Sequence, residues 1–273
     1  MTLTHGSLFT GIGMIDYGLS LAGFETKWQV EKDEYCLAVL RKYWPEVPKF
    51  KDVRDCGRHN LEPVDIISGG FPCQNISEAG IMEGLGELDR PTDRSGLWYQ
   101  YHRIIEELRP PWVLVENVPR LLHRWDGDRV LSDLERADYT WAAVMVGASD
   151  FGAPHKRQRT WIVGCRHDPH SDNVFDTPMD PGGLLPAVQR AIEESRAEWE
   201  RTKLELVSGD GSAGSSPEQQ AQAYDAIVRE FYGNPCWQEQ SRAIGNSVVP
   251  VVPALIGSFV RAVEEMYART DAP

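Results

Sequence analysis

The sequence lacks the features of a membrane or secreted protein. Its longest nearly apolar run, residues 248–260, contains two prolines and falls short of the roughly 18 residues that a membrane-spanning helix requires. The first residues contain no basic stretch followed by an apolar run, so no secretory signal is predicted. We therefore expect a globular protein of the cytoplasm, with no membrane partner.

Cysteine is scarce and follows no paired pattern. The chain has 5 cysteines, and no pair of them has a CxxC spacing. This pattern argues against a disulfide framework and against a structural zinc site. We predict no metal ion. An odd cysteine leaves room for a thiol that is present for its chemistry.

An excess of positive charge is also missing. The sequence has 28 Lys and Arg against 41 Asp and Glu, a formal charge of −13, which alone would argue against a nucleic-acid partner. The charge is unevenly distributed, because residues 166–239 hold 6 basic and 14 acidic residues, a net of −8. Residues 153–166 are locally basic through Lys156, Arg157, Arg159 and Arg166. Any contact with a polyanion is predicted there.

Short apolar runs alternate with helical patterns over the first 165 residues, which predicts an α/β sheet with helices on both faces. Strands are predicted at 3–9, 27–31, 64–68, 112–116, 140–146 and 160–164, and helices at 13–22, 34–43, 95–108 and 128–138. We expect a cofactor-binding and catalytic domain over residues 1–165 and a small second domain over 166–240, where Pro, Gly and Asp become frequent. Residues 241–273 are expected to complete the first domain.

A glycine loop follows the first predicted strand and opens a helix. Phe9, Gly11, Ile12 and Gly13 belong to it, and such a loop lets a nucleotide-like ligand approach the backbone, although a plain tight turn would have the same pattern. Asp16 stands where a dinucleotide fingerprint has its third glycine, so an NAD site is disfavoured. Glu31, about 20 residues on, could bind a ribose or could simply be solvated.

Cys73 lies in the run Gly-Gly-Phe-Pro-Cys-Gln, directly after the predicted strand 64–68. Functional sites of α/β sheets lie at the carboxyl ends of strands. A Gly- and Pro-containing loop exposes a thiol, and nearby amides and arginines favour the thiolate. The alternative is that Cys73 is a small buried hydrophobic residue.

Charged side chains occur at two further strand ends. Glu116, with Asn117, ends an apolar strand, where a partly dry environment raises a carboxyl pKa and lets the group act as an acid; an ion-paired structural role is the alternative. Arg157 and Arg159 precede another strand, and strand geometry would place both on one side. Two guanidinium groups on one face suit a phosphate or a base oxygen, and a solvated basic loop is the alternative.

Taken together and in this order, these motifs resemble the prokaryotic and phage DNA (cytosine-5)-methyltransferase family over residues 1–165 and 240–262. The matching segments are LFTGIGMIDYGLSLAGFE, SGGFPCQNIS, RSGLWYQYHRIIEELRP, VLVENVPRLL, FGAPHKRQRTWIVG and RAIGNSVVPVV. The resemblance implies a Rossmann-like, mostly parallel sheet with an antiparallel seventh strand. It also implies transfer of a methyl group from S-adenosylmethionine to carbon 5 of a flipped-out cytosine in double-stranded DNA.

The resemblance also implies a role for individual residues. The implied catalytic residues are Cys73, Pro72, Glu116, Asn117, Arg157 and Arg159. The implied cofactor-binding residues are Phe9, Gly11, Ile12, Gly13, Glu31, Asp52, Leu97, Asn246, Ser247 and Val248. The implied DNA-binding residues are Gln74, Ser77, Arg94 and Lys156. Cys73 would add to carbon 6 of cytosine, Glu116 would act on ring nitrogen 3, and Arg159 would hold the base oxygen.

The sequence departs from the family at two places. Met14 replaces a second glycine beside the cofactor loop, and residues 166–240, where the family reads its target, are short and acidic, which opposes DNA phosphates. Recognition could therefore need an accessory protein. An RNA cytosine-5 methyltransferase, a non-catalytic DNA-binding or regulatory relative and an unusual sulfonium donor stay open as alternatives. We expect a monomer of the restriction-modification or orphan kind, located at the nucleoid of a prokaryotic host.

Overall fold

The computed structural model describes residues 2–72, 97–123, 125–151, 157–166, 248 and 250–270. These residues form one seven-stranded sheet with helices on both faces. The strands are β1 (Leu3–Leu8), β2 (Phe24–Val30), β3 (Lys49–Phe50), β4 (Ile66–Gly70), β5 (Trp112–Asn117), β6 (Thr140–Val146) and β7 (Arg159–Cys165). The helices are α1 (Met14–Leu21), α2 (Glu34–Tyr43), α3 (Leu97–Leu108), α4 (Trp125–Arg136) and α5 (Val251–Thr270).

The strand order is β3-β2-β1-β4-β5-β7-β6. Strands β1 to β5 pair in parallel, whereas β7 runs antiparallel to both β5 and β6. The order reverses between β1 and β4, which is the position where open α/β sheets bind ligands. The predicted fold class, including the antiparallel seventh strand, is confirmed.

Two hydrophobic clusters hold the helices on the sheet. Side chains of α3 and α4, such as Tyr101 and Leu134, pack on one face, and side chains of α1 and α5, such as Leu19 and Val260, pack on the other. All six residues of β5 are buried. This burial on both faces explains why β5 is a continuous apolar run in the sequence.

Local contacts account for where the elements begin. The Asp33 carboxylate accepts hydrogen bonds from the amides of Tyr35 and Cys36, which caps α2 at the predicted position. Strand β4 begins two residues later than predicted, and just before it the Asp65 carboxylate accepts hydrogen bonds from the amide and hydroxyl of Thr4. Strand β3 was not predicted, since two residues are too few to show a strand period.

The C-terminal helix α5 packs against α1. A Cβ added at Gly18 of α1 would collide with the carbonyl of Pro250, and one added at Gly257 would lie 2.8 Å from Ala22. In the described ranges no helix is both long enough and apolar enough to cross a membrane. Of the predicted second domain the structure describes only Arg166, so that prediction lies outside the described residues.

Candidate active site

One edge of the sheet collects the candidate residues that the structure describes. Phe9 and Glu31 follow the carboxyl ends of β1 and β2, and Glu116 lies near the carboxyl end of β5. Arg159 begins β7 at the same edge, because β7 runs antiparallel to β5. The edge therefore has a β1–β2 side with the glycine loop and a β4–β5–β7 side with the charged residues.

The glycine loop has an unusual backbone. Phe9, Gly11 and Gly13 have φ angles of 52°, 59° and 85°, all in the left-handed region. A Cβ added at Gly11 would meet no atom within 4 Å, so the space beside Gly11 is open. Gly13 caps α1 without a side-chain hydrogen bond. The first-turn amides of α1 thus carry the positive end of the helix dipole without a side-chain partner at the cap.

Glu31 is tied to this loop by hydrogen bonds. Its Oε2 accepts from the Gly11 amide at 2.6 Å, and its Oε1 accepts from the amides of Lys32 and Asp33 at 2.8 Å. Burial raises the pKa of Glu31, and the three amides oppose that rise. A carboxylate has about four acceptor positions, so the half-buried Glu31 keeps acceptor capacity for a hydroxyl ligand.

The structure places the other predicted cofactor residues in different surroundings. The Asp52 carboxylate accepts hydrogen bonds from the Arg54 side chain, which hold the pKa of Asp52 well below its usual range and keep it an ionised acceptor. Phe9 and Leu97 are partly buried against the α3–α4 core. Val248 instead lies within the core formed with α1 and α5.

Glu116 and Arg159 form an ion pair at the β5–β7 end. The Arg159 Nε lies 2.9 Å from the Glu116 Oε1, and Glu116 is only 8% exposed. Burial raises the pKa of Glu116 to about 7, although the charges of Arg159 and Arg157 lower it. A carboxyl with this pKa is present in both protonation states near neutral pH and can donate or accept a proton.

Arg157 does not share the strand geometry that the sequence predicted for it. It precedes β7 and has a φ of 34°, so strand alternation does not relate its direction to that of Arg159. Its charge nevertheless acts on Glu116. Both arginines therefore act on Glu116, but the prediction that strand geometry places them on one side was wrong.

Strand β4 brings the segment that leads to Cys73 beside this ion pair. Gly70 pairs with Glu116 in the register of β4 and β5, and a Cβ added at Gly70 would lie 2.5 Å from the Glu116 Oε2. The Asn117 Nδ2 donates a hydrogen bond to the Phe71 carbonyl at 3.3 Å. The absent side chain of Gly70 thus leaves room for the Glu116 carboxyl two residues before Pro72.

A family model described as C-5 cytosine-specific DNA methylase matches residues 3–241. The match includes both sides of the site and most of the chain. The chain belongs to the C-5 cytosine-specific DNA methylase family.

Named relatives extend the comparison. The chain is 36% identical over 176 residues to the Type II methyltransferase M2.BsuMI of Bacillus subtilis, covering 62% of this chain and 43% of that protein. It is 31% identical over 245 residues to M.Bsp6I of a Bacillus species, covering 86% and 76%. The chain spans about half the length of the first curated relatives that it matches.

Solved structures support the fold. A DNA modification methyltransferase encoded within an Escherichia coli prophage superposes with a TM-score of 0.60 at 20% identity, covering 95% of this chain and 98% of that chain. At this level of identity the likeness concerns the fold alone.

Several predicted site residues lie outside the described residues: Cys73, Gln74, Ser77, Arg94, Lys156, Asn246 and Ser247. Two features of the site were missed by the sequence reasoning. Phe50 packs against the same core as Phe9 and Leu97, but it ends a strand too short to recognise. Gly70 makes room for Glu116, and its position directly before Phe-Pro-Cys was the only available signal.

Proposed function

We propose that this chain is a DNA (cytosine-5)-methyltransferase that uses S-adenosylmethionine and a covalent adduct of Cys73. The observation that carries the proposal is the ion pair of buried Glu116 with the partly buried Arg159, which lies against the strand that leads to Cys73. The family match supports the same chemistry. Lone ion pairs are common in proteins, but a buried carboxyl whose pKa is raised to about 7, at the carboxyl end of a sheet strand, is typical of an active site.

The residues have complementary tasks on cytosine, whose carbon 5 is a poor nucleophile. The Cys73 thiolate bonds to carbon 6, and the electron pair of the 5,6 double bond moves towards carbon 5. Protonated Glu116 donates to ring nitrogen 3 and so neutralises the charge that develops in the ring, while Arg159 holds the base oxygen. After carbon 5 has taken the methyl group, a base removes the proton from carbon 5, the 5,6 double bond forms again, and the thiolate leaves.

S-adenosylmethionine, when bound, supplies the electrophilic methyl group that carbon 5 takes before it loses its proton, and the sulfur keeps the electron pair of the broken bond as S-adenosylhomocysteine. The residues of the β1–β2 side fit this cofactor. The open space at Gly11 admits a ligand to the backbone, the start of α1 favours a carboxylate, and Glu31 has an acceptor position left for a ribose hydroxyl. Asp52 is an ionised acceptor that suits an adenine amino group.

Double-stranded DNA is the proposed macromolecular partner. A stacked cytosine cannot reach groups buried at the edge of a sheet, so the base must be flipped out of the duplex. The basic segment with Lys156, Arg157 and Arg159 is the proposed phosphate contact. Target choice is assigned to residues 166–240 or to an accessory protein, and the enzyme is proposed to act in the cytoplasm as a monomer.

The deciding experiment measures modified nucleosides. The purified protein is incubated with S-adenosylmethionine and unmodified DNA of mixed sequence, and the nucleosides are quantified by mass spectrometry. We expect 5-methylcytosine from the wild type and from Cys165→Ala, but none from Cys73→Ala. Cys165 is the matched control because it is buried at the end of β7, at the opposite edge of the sheet. Normal turnover by Cys73→Ala would refute the covalent mechanism.

A second experiment traps the adduct. DNA that contains 5-fluorocytosine has no proton on carbon 5, so the thiolate cannot be released and a covalent complex on Cys73 is expected. Peptide mass spectrometry would locate it. If a folded wild type binds S-adenosylmethionine but modifies only RNA, the substrate assignment is wrong and the RNA methyltransferase alternative replaces it.

A further inference from the structure

Asp16 is a fully buried carboxyl group that the proposed chemistry does not use. It is 0% exposed and lies in the first turn of α1, three residues after Gly13. Its Oδ2 accepts a hydrogen bond from the Ser7 Oγ at 2.9 Å, and its Oδ1 accepts one from the Gln29 Nε2 at 2.8 Å. Asp16 is also the residue whose presence disfavoured a dinucleotide fingerprint.

The two partners of Asp16 stand on the strands that flank the glycine loop. Ser7 of β1 lies two residues before Phe9, and Gln29 of β2 lies two residues before Glu31. Asp16 itself belongs to the helix that the loop opens. One carboxylate therefore links β1, β2 and α1 directly beneath the residues proposed to hold the cofactor.

Stability alone does not explain a carboxylate at this position. Burying a charge is costly, and an apolar residue of similar size is often as good or better for stability. Burial raises the pKa of Asp16 to about 6, and hydrogen bonds from Gln29 and Ser7 oppose that rise, as does the charge of Lys49. The Gln29 Oε1, also buried, has no hydrogen-bond partner within the described part of the chain.

The loop above Asp16 needs support. Phe9, Gly11 and Gly13 all have positive φ angles, and a left-handed backbone is costly for a residue such as Phe9 unless its surroundings hold it in place. A carboxylate in the first turn of a helix is favoured by the helix dipole. Asp16 can therefore hold the start of α1 and both strands in one fixed arrangement.

We propose that Asp16 is a positioning residue for the cofactor loop, and that its hydrogen bonds to Ser7 and Gln29 hold residues 9–13 in the shape that binds S-adenosylmethionine. This inference rests on the proposed function. Asp16 touches neither the reacting atoms nor the cytosine site, so it sets cofactor affinity and not the rate of methyl transfer.

The test compares Asp16→Leu with Asp16→Asn in the full chain. Leucine fills the space without hydrogen bonds, so we expect the Kd for S-adenosylmethionine, measured by calorimetry, to rise at least about tenfold, the size of losing hydrogen bonds to a charged group. Asparagine can still bond to Ser7 and, with the Gln29 amide turned, to Gln29. We expect it to restore the Kd to within about threefold of wild type, and kcat at saturating cofactor to stay within about twofold.

Asp133→Asn is the matched control. Asp133 is also a buried acid, but it accepts hydrogen bonds from Trp98 and Arg129 on the α3–α4 face. Its loss should lower the Tm and leave the cofactor Kd within about twofold. If Asp16→Leu does not fold, Ser7→Ala removes one hydrogen bond, and a rise in Kd of about threefold is expected.

The inference is wrong if Asp16→Leu, or Ser7→Ala in its place, binds the cofactor with the wild-type Kd. It is also wrong if the Kd of Asp16→Asn is as weak as that of Asp16→Leu. A Kd of Asp133→Asn that rises as much as that of Asp16→Leu would overturn it too. The wild type is measured first. If it binds neither S-adenosylmethionine nor S-adenosylhomocysteine, the proposed function fails and this inference fails with it. If the wild type binds and Asp16→Leu binds equally well, only the inference fails.

Discussion

The two sides of the site edge are built in different ways. On the β1–β2 side the structure offers backbone: three positive φ angles, open space at Gly11 and a helix start without a side-chain cap. On the β4–β5–β7 side it offers side chains, because buried Glu116 pairs there with the partly buried Arg159. The β1–β2 side suits a ligand that is recognised by its shape and by backbone amides. The β4–β5–β7 side suits a ring in which charge develops during the reaction.

This difference predicts different consequences of substitution. Changes on the β1–β2 side should alter the Kd for the cofactor and leave kcat nearly unchanged. Changes on the β4–β5–β7 side should lower kcat and leave the cofactor Kd nearly unchanged. A variant that changes both the cofactor Kd and kcat would contradict this separation of the two sides.

The largest effect is expected from Glu116→Gln. The amide has the same size as the carboxyl but cannot deliver a proton to ring nitrogen 3, so kcat should fall about 100-fold or more. The cofactor Kd should stay within about twofold of wild type. Methyl transfer from radiolabelled S-adenosylmethionine to DNA measures the first quantity, and calorimetry measures the second.

The control for this variant is Glu106→Gln on α3, where the side chain is 59% exposed. It should behave as the wild type does. A Glu116→Gln enzyme with normal kcat, or one whose defect is a weak cofactor Kd, would contradict the division of the site into two sides.

The same variant gives a test of stability against pH. Burial raises the pKa of Glu116 from 4.5 to about 7, so the contribution of Glu116 to stability is fully present below pH 4.5 and is lost as the pH rises through 7. The loss amounts to about 3 kcal/mol, at about 1.4 kcal/mol for each pKa unit. Glutamine does not titrate, and the arginines that face Glu116 stay charged throughout.

The free energy of unfolding in urea is therefore to be measured for wild type and Glu116→Gln at about pH 4.5 and about pH 8. From the lower to the higher pH, the free energy of unfolding of the wild type should fall relative to that of Glu116→Gln. A difference that does not change with pH would show that Glu116 is not held in a dry environment.

Much of this fold could be predicted from local sequence, because the signals were local. Strand β5 is a continuous apolar run, and Asp33 caps α2 with its own side chain. Strand β3 could not be predicted, since its two residues are a strand only through their pairing with β2.

Individual residues of the site could be predicted from the sequence, but the contacts between their side chains could not. Glu116 stood out at the end of an apolar run, yet its partner Arg159 lies 43 residues further along the chain and meets it only through the antiparallel pairing of β7. The role of Asp16 likewise depends on Gln29 of the next strand. Contacts between strands are set by the register of the sheet, which the sequence of one strand does not reveal.

A smaller effect is expected from Gly70→Ala on the β4–β5–β7 side. The new Cβ would lie 2.5 Å from the Glu116 Oε2, so the carboxyl must move. We expect kcat to fall about tenfold, since misplacing an acid costs less than removing it. The cofactor Kd should not change, and a weakened Kd would mean that the two sides are coupled through β4.

The smallest effect on methyl transfer is expected from Gly11→Ala on the β1–β2 side, as the counterpart of Gly70→Ala. Alanine meets no atom at this position, so the cost to folding is only that of a left-handed backbone, about 1 kcal/mol. The methyl group would occupy the open space that the cofactor needs, and the Kd should rise about tenfold with kcat at saturating cofactor unchanged. Calorimetry and thermal unfolding separate the two effects. An unchanged Kd would mean that the open space at Gly11 is not the cofactor cleft. The β1–β2 side could then not be assigned to cofactor binding.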